Sequence, residues 1–201
     1  SLPMEPMQTE GRRLTVERNV PVDALYMAFH MCSRNHPDYY AFDMLSDLLS
    51  SGRSSRFVQH LVQDKQIFNS IDAYISGSID NGLFHIVGKP APEKTLEEAE
   101  KAIWEELALL TEGSIDENEL EKVKNRYESE QIFNNLNYLN VATNLAYFEL
   151  IGKAEDINTE VEKYRSVTQE QIKRAAKQTF LPENCSVLYY KAAAKGASHT
   201  P

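Results

Sequence analysis

Five histidines are scattered along this chain of 201 residues, at His30, His36, His60, His85 and His199, and no two of them stand four apart. A helix that holds a hydrolytic metal needs two imidazoles at i and i+4 with a glutamate between them, as H-E-x-x-H or H-x-x-E-H, so that one face carries both metal and base. That deficit excludes a helical zinc centre built by this chain alone. His60 and Asp64 stand four apart, but two ligands without a third make no site, and His60 reads as structural. His30 and His85 fall in strand-like runs and read as satisfied, partly buried rings. A G-x-S-x-G elbow, a Walker loop and a G-x-G-x-x-G are all missing, which removes the usual frames for an activated serine or a bound nucleotide. Cysteine is scarce. Cys32 and Cys185 lie far apart in apolar runs and read as buried free thiols, neither ligands nor nucleophiles.

Positive charge is also short: 21 Lys and Arg against 30 Asp and Glu give a net charge of -9. The excess is concentrated between Glu93 and Glu130, where thirteen acidic residues face five basic ones. No basic stripe exists, so nucleic acid is excluded as a partner. The acidic stretch reads as a solvated helical face, with attraction for basic peptides as the rival reading. No apolar run approaches the roughly 20 residues of a membrane-spanning helix. No leader opens the sequence, and Ser1-Leu2-Pro3-Met4 reads as a cut within a longer chain. The compartment stays open between cytoplasm and periplasm for an expected soluble protein.

What is present is a succession of short patterned segments. Residues 11–32 read as two strands broken at Pro21. In the second, Leu25, Met27, Phe29 and Met31 share one face and Ala24, Tyr26, Ala28 and His30 the other. Asp38 is the expected N-cap of a helix carrying Phe42, Leu45, Leu48 and Leu49 inward. A Ser50–Ser55 loop and a short helix with Phe57, Val58, Leu61 and Val62 follow. Ile71, Ala73 and Ile75 then alternate with polar residues, Asn81-Gly82 is the expected type I′ turn, and Phe84 and Ile86 return. Capping boxes are expected at Thr95 with Glu98, Ser114 with Glu117, and Thr168 with Gln171, the last with a Val167–Ile172 staple. Leu96, Ala99, Ile103, Leu107 and Leu110 form a helical core stripe. Five asparagines between Asn134 and Asn144 predict a loop, with helix resuming over Leu145–Leu150. A last strand covers Cys185–Tyr190. The order ββ, αα, ββ, several α, β predicts one α+β domain, a mostly antiparallel sheet with helices packed on one face.

Particular phrases add a family resemblance. Tyr40-Ala41-Phe42-Asp43-Met44-Leu45-Ser46-Asp47-Leu48-Leu49, followed by Ser51-Gly52-Arg53-Ser54-Ser55-Arg56-Phe57, resembles the pitrilysin/insulinase family of zinc metallopeptidases. Lys65-Gln66-Ile67-Phe68, the Val167-Thr168 helix start, Phe180-Leu181-Pro182-Glu183-Asn184 and the closing strand are similar to its later elements. The match covers roughly residues 5–191. It implies a half-domain of the LuxS/processing-peptidase-like kind. Members of the family have homologous halves facing each other like a clam shell, one with H-x-x-E-H and one without. This chain resembles the inactive C-terminal half of a bacterial-type peptidase, with 1–10 as linker, 11–191 as the domain and 192–201 as a disordered tail.

The resemblance further implies a chamber wall that holds extended peptide. Zinc is expected in the catalytic half and no cofactor in this chain, so no catalytic or metal-binding residue is assigned here. The catalytic half is the expected partner, in the same chain or in another subunit. The family's inactive half contributes an Arg and, seven residues later, a Tyr toward substrate. Tyr147 stands at the Tyr position, whereas Asn140 occupies that of the Arg. Tyr147 therefore reads equally as substrate contact or as helix packing. Two rival functions are a structural subunit, like the non-catalytic partners of processing peptidases or respiratory core proteins, and a stand-alone peptide-binding module.

Overall fold

The alternation in the second strand places it at the centre of the sheet. In a computed structural model that describes residues 6–193, Leu25, Met27, Phe29 and Met31 of β2 (Ala24–Ser33) are all buried. β1 (Arg12–Arg18), β3 (Phe68–Ser76), β4 (Asn81–Pro90) and β5 (Cys185–Ala192) complete five strands in the order β1-β5-β2-β4-β3. All pairs are antiparallel except β1 with β5, because the chain's last strand inserts between its first two.

One face of the sheet carries the helices. α1 (Tyr39–Ser50) buries Phe42, Leu45, Leu48 and Leu49, and α2 (Leu96–Glu112) buries the expected stripe from Leu96 to Leu110. α6 (Gln169–Thr179) adds Ile172, Ala175 and Ala176, and Phe180 behind it meets Phe29 and Phe84 edge-on at 5.1 Å each. Such contacts fix ring orientation as well as bury area. The other face has no helix on it among the described residues. There Tyr74 stacks on His85 at 4.9 Å, and Leu14, Tyr26, Ala28, His85 and Leu188 line an open groove of about 390 Å³.

Local signals were honoured unevenly. The reciprocal boxes at Thr95/Glu98 and Thr168/Gln171 are formed, and Val167 and Ile172 are both buried. The third box is not. α3 (Glu117–Asn134) is capped instead by Asp116, whose carboxylate accepts from the Asn118 N–H at 2.9 Å, a closer acceptor than Ser114. Asp38 takes the N-cap position of α1 without capping it, because its carboxylate is drawn to Arg174 at 2.5 Å.

The hairpin turn also falls elsewhere. Asn81 and Gly82 lie in β4, opposite Ser33 and Met31, and residues 77–80 make the turn. This register pairs Ala73 with Ile86 and Ile75 with Phe84, whereas a turn at Asn81-Gly82 would leave Phe84 opposite Ile79. Core pairing outweighs turn propensity. Gly82 is required for space, since a Cβ there would lie 2.5 Å from the Ser76 carbonyl oxygen.

The asparagine-rich segment breaks for three residues only. α4 (Tyr138–Ile151) starts where the Asn137 side chain accepts from the Leu139 N–H at 2.9 Å, so asparagine here caps a helix instead of abolishing one. Of the expected tail, Ala192 ends β5 and residues from 194 onward lie outside the described ones. Of the expected linker, residues 1–5 also lie outside them. Gln8 is buried, donating to the Cys185 carbonyl at 3.1 Å.

Gly88 offers a direct test of core packing. A Cβ there would lie 2.4 Å from the ring of fully buried Phe68. Gly88→Ala is expected to lower unfolding free energy by about 1–3 kcal/mol in urea titrations. An unchanged midpoint would mean that Phe68 has room to move.

Candidate functional site

α4 is the least covered helix of the fold. Only Phe148 of its residues is buried, with Asn140, Val141, Asn144 and Ile151 half-buried along the inward side. Eighteen consecutive residues, Gln131 to Phe148, contain no Asp, Glu, Lys, Arg or His, in a chain that is 25% charged. Ile132, Phe133, Leu136, Tyr138 and Leu139 are exposed at its tip. A helix apolar around much of its girth is ordinarily buried against something.

Asn140 and Tyr147, the two residues expected to reach substrate, both lie on α4. Seven residues of continuous helix separate them by two turns, about 10 Å along the axis, on one face. Tyr147 remains 39% exposed, its ring edge-on to Phe148 at 5.9 Å. Asn144 lies between them on the same face. The side-chain amides of Asn140 and Asn144 make no hydrogen bond within the chain among the described residues. Asn144 escaped the sequence reading because a loop was expected there; helical spacing from Tyr147 would have found it.

What holds α4 in place is a polar knot behind it. Arg34, at 7% exposure, donates to Glu160 at 2.5 Å, and its guanidinium lies over the rings of Tyr39 at 4.4 Å and Tyr40 at 5.4 Å. Tyr40 donates to the other Glu160 oxygen at 3.1 Å. Asn35, the next residue, donates to the Ile151 carbonyl at the end of α4 at 3.2 Å. Tyr39 connects this knot to the exposed stripe: burial pushes its phenol well up, with Asp43 and Tyr147 adding to the push.

α1 shows why no metal fits here. Asp43, Ser46 and Asp47 have the i, i+3, i+4 spacing of H-x-x-E-H, with carboxylates where the imidazoles would stand and a hydroxyl for the base. Each is already engaged. Tyr164, on α5 (Glu160–Arg165), donates to Asp43 at 2.5 Å, and the Ser46 hydroxyl donates to the Asp43 carbonyl at 2.8 Å. Asp47 faces the Arg126 guanidinium. Among the described residues no group of three or more His, Cys, Asp and Glu could hold an ion. His60 has the structural part expected, its Nδ1 lying 2.9 Å from a carboxylate oxygen of buried Glu106. Both cysteines are free thiols, and burial pushes them up to about 11 for Cys32 and about 12 for Cys185.

Burial, followed by the nearby Asp43 carboxylate, raises Asp47 from 3.8 to about 6. The folded state therefore holds this proton more tightly than the unfolded chain. The resulting stabilisation is complete below the ordinary value and is lost as pH rises through about 6. Asp47→Asn removes the titration, so its stability relative to the parent should improve from pH 4 to pH 7. Thermal unfolding of both proteins across that range checks this, and a constant difference between them would refute it.

The family model for the Peptidase M16 inactive domain matches residues 1–127. An uncharacterized zinc protease of Bacillus subtilis, YmxG, is 25% identical over 88% of this chain, which spans only 43% of that relative's length. The crystal structure of a protease from Helicobacter pylori superposes with a TM-score of 0.88 at 23% identity, covering 94% of this chain and 46% of that one. A chain of Complex III2 from Candida albicans gives a TM-score of 0.73 at 17% identity, covering 90% of this chain and 46% of that one. Among the described residues no helix is long and apolar enough to cross a membrane. With its family model spanning more than half of it, the chain belongs to the Peptidase M16 inactive domain family, the non-catalytic half of the pitrilysin/insulinase zinc proteases.

Proposed function

We propose that this domain is one wall of a closed peptide-binding chamber, with zinc and hydrolysis supplied by a catalytic half in the same chain or in a partner subunit. The observation that carries the reading is the pairing of an inactive-peptidase fold with an exposed, uncharged α4 that bears Asn140 and Tyr147 on one face. The bare sheet face and the apolar tip from Ile132 to Leu139 support a second body pressed against this one, since surfaces of that kind mark protein interfaces. Enclosure would exclude water and strengthen polarisation of the peptide carbonyl by zinc in the other half. Extended substrate would add to a sheet edge of that half, with α4 opposite. Residues 1–10 serve as the linker and 11–191 as the wall.

A second reading has support of its own. The position seven residues before Tyr147 is Asn140 instead of Arg, and a chain of Complex III2 shares the fold, both compatible with a structural, non-catalytic subunit.

Two measurements separate these readings. The isolated chain should carry no stoichiometric zinc by atomic absorption and cleave no peptide, and one equivalent of zinc would end both. Joined to its catalytic half, Tyr147→Phe should lower kcat by about tenfold or more while moving Tm by less than about 2 °C. An unchanged rate would return Tyr147 to helix packing.

A further inference from the structure

We propose that the Asn140–Asn144–Tyr147 stripe grips the main chain of an extended peptide and that the chargeless α4 surface admits neutral or apolar peptide segments in preference to charged ones. This inference rests on the chamber-wall reading and adds to it a further contact residue, Asn144, and a substrate class.

The spacing suits a peptide backbone. Asn140 and Asn144 are one helical turn apart, about 6 Å along the axis. Successive residues on the same side of an extended chain repeat at about 6.7 Å. Each carboxamide offers both a donor and an acceptor, so it can meet a peptide N–H or C=O whatever the side chains are. Neither amide is used within the chain among the described residues, and Phe148 with half-buried Val141 anchors the helix beneath them. Tyr147 closes the stripe with a half-exposed ring and a hydroxyl.

Charge decides the class of side chain. Over Gln131–Phe148 the wall holds no ionised group to pair with a peptide Lys, Arg, Asp or Glu. A charged side chain pressed against it would lose water with nothing in exchange, while Leu136, Leu139 and Leu145 stand exposed to receive apolar ones. An arginine in place of Asn140 would carry a fixed charge to the same spot, and its absence removes that term.

The test uses the domain assembled with its zinc-loaded catalytic half and quenched fluorescent decapeptides that differ only in flanking residues: Ala and Leu, Glu, or Lys. The neutral peptide should be cleaved with kcat/KM about tenfold or more above either charged one. Asn144→Ala should raise KM several-fold at unchanged Tm, because alanine is the better helix former and the helix is not weakened. Asn144→Asp should move the preference toward the Lys peptide by about tenfold while leaving the Ala and Leu peptide cleaved. Cleavage with a preference that ignores Asn144→Asp would overturn this inference and leave the chamber reading intact. No cleavage of any peptide by the zinc-loaded assembly would overturn the chamber reading and this inference with it.

Discussion

The buried pair of Arg34 and Glu160 is the contact on which the arrangement of the site depends. Both side chains are 8% exposed, so each charge has left water and can be tolerated only because the other is there. The tyrosines complete the accounting of polar groups: Tyr40 serves Glu160, while Tyr39 and Tyr40 place ring faces against the guanidinium. Glu160 begins α5, Arg34 follows β2, and the two tyrosines begin α1. One ion pair thus ties the sheet to two helices. Removing either partner would strand a buried charge at a cost of about 3–5 kcal/mol. Because Asn35 also holds the last turn of α4, the exposed helix inherits its position from a contact that no part of its own sequence provides.

A second polar anchor does the same for the opposite end of the sheet. Arg13 on β1 meets Glu100 of α2 through two hydrogen bonds of 2.6 and 2.7 Å, and Tyr189 of β5 donates to the same carboxylate at 2.6 Å. Burial pushes Glu100 up, but the bonds from Arg13, Tyr189 and Trp104 outweigh it and hold the carboxyl below its ordinary value. Through that group the parallel β1–β5 pair is fastened to the helical layer. The apolar core supplies the bulk of the stability, and these two knots decide where the layers stop sliding.

Much of this was legible in residues whose pattern is repeated. The faces of β2, the α2 stripe and two capping boxes follow from periodicities that many side chains enforce together. What failed rested on single local signals. Asn81-Gly82 is a strong turn dipeptide, yet it yields to the core register of Ile75 with Phe84. Asp38 could cap α1, but a cation from α6, far away in sequence, takes it. The asparagines lower helix propensity by tenths of a kcal/mol each, too little to prevent α4 once Asn137 caps it. The site shows the same division. Tyr147 and Asn140 came from a family phrase, and Arg34, Glu160 and Asp43 gave no warning, because nothing local says that residues 126 apart in sequence will share one buried bond.

The inactivity of α1 has a physical content beyond the absence of histidine. A carboxylate pair at the spacing of a metal motif would repel itself and attract any passing cation if it stood open. Here Asp43 is bound by a tyrosine, Asp47 faces an arginine, and the serine between them is turned back onto the helix. Each group has been given an internal partner, so the helix that could present a metal instead fastens α3 and α5 to the sheet. Chemistry surrendered at α1 leaves a rigid frame, and rigidity is what a wall needs. The one helix not drawn into it is α4, where amides stay unpaired and charge is missing over eighteen residues.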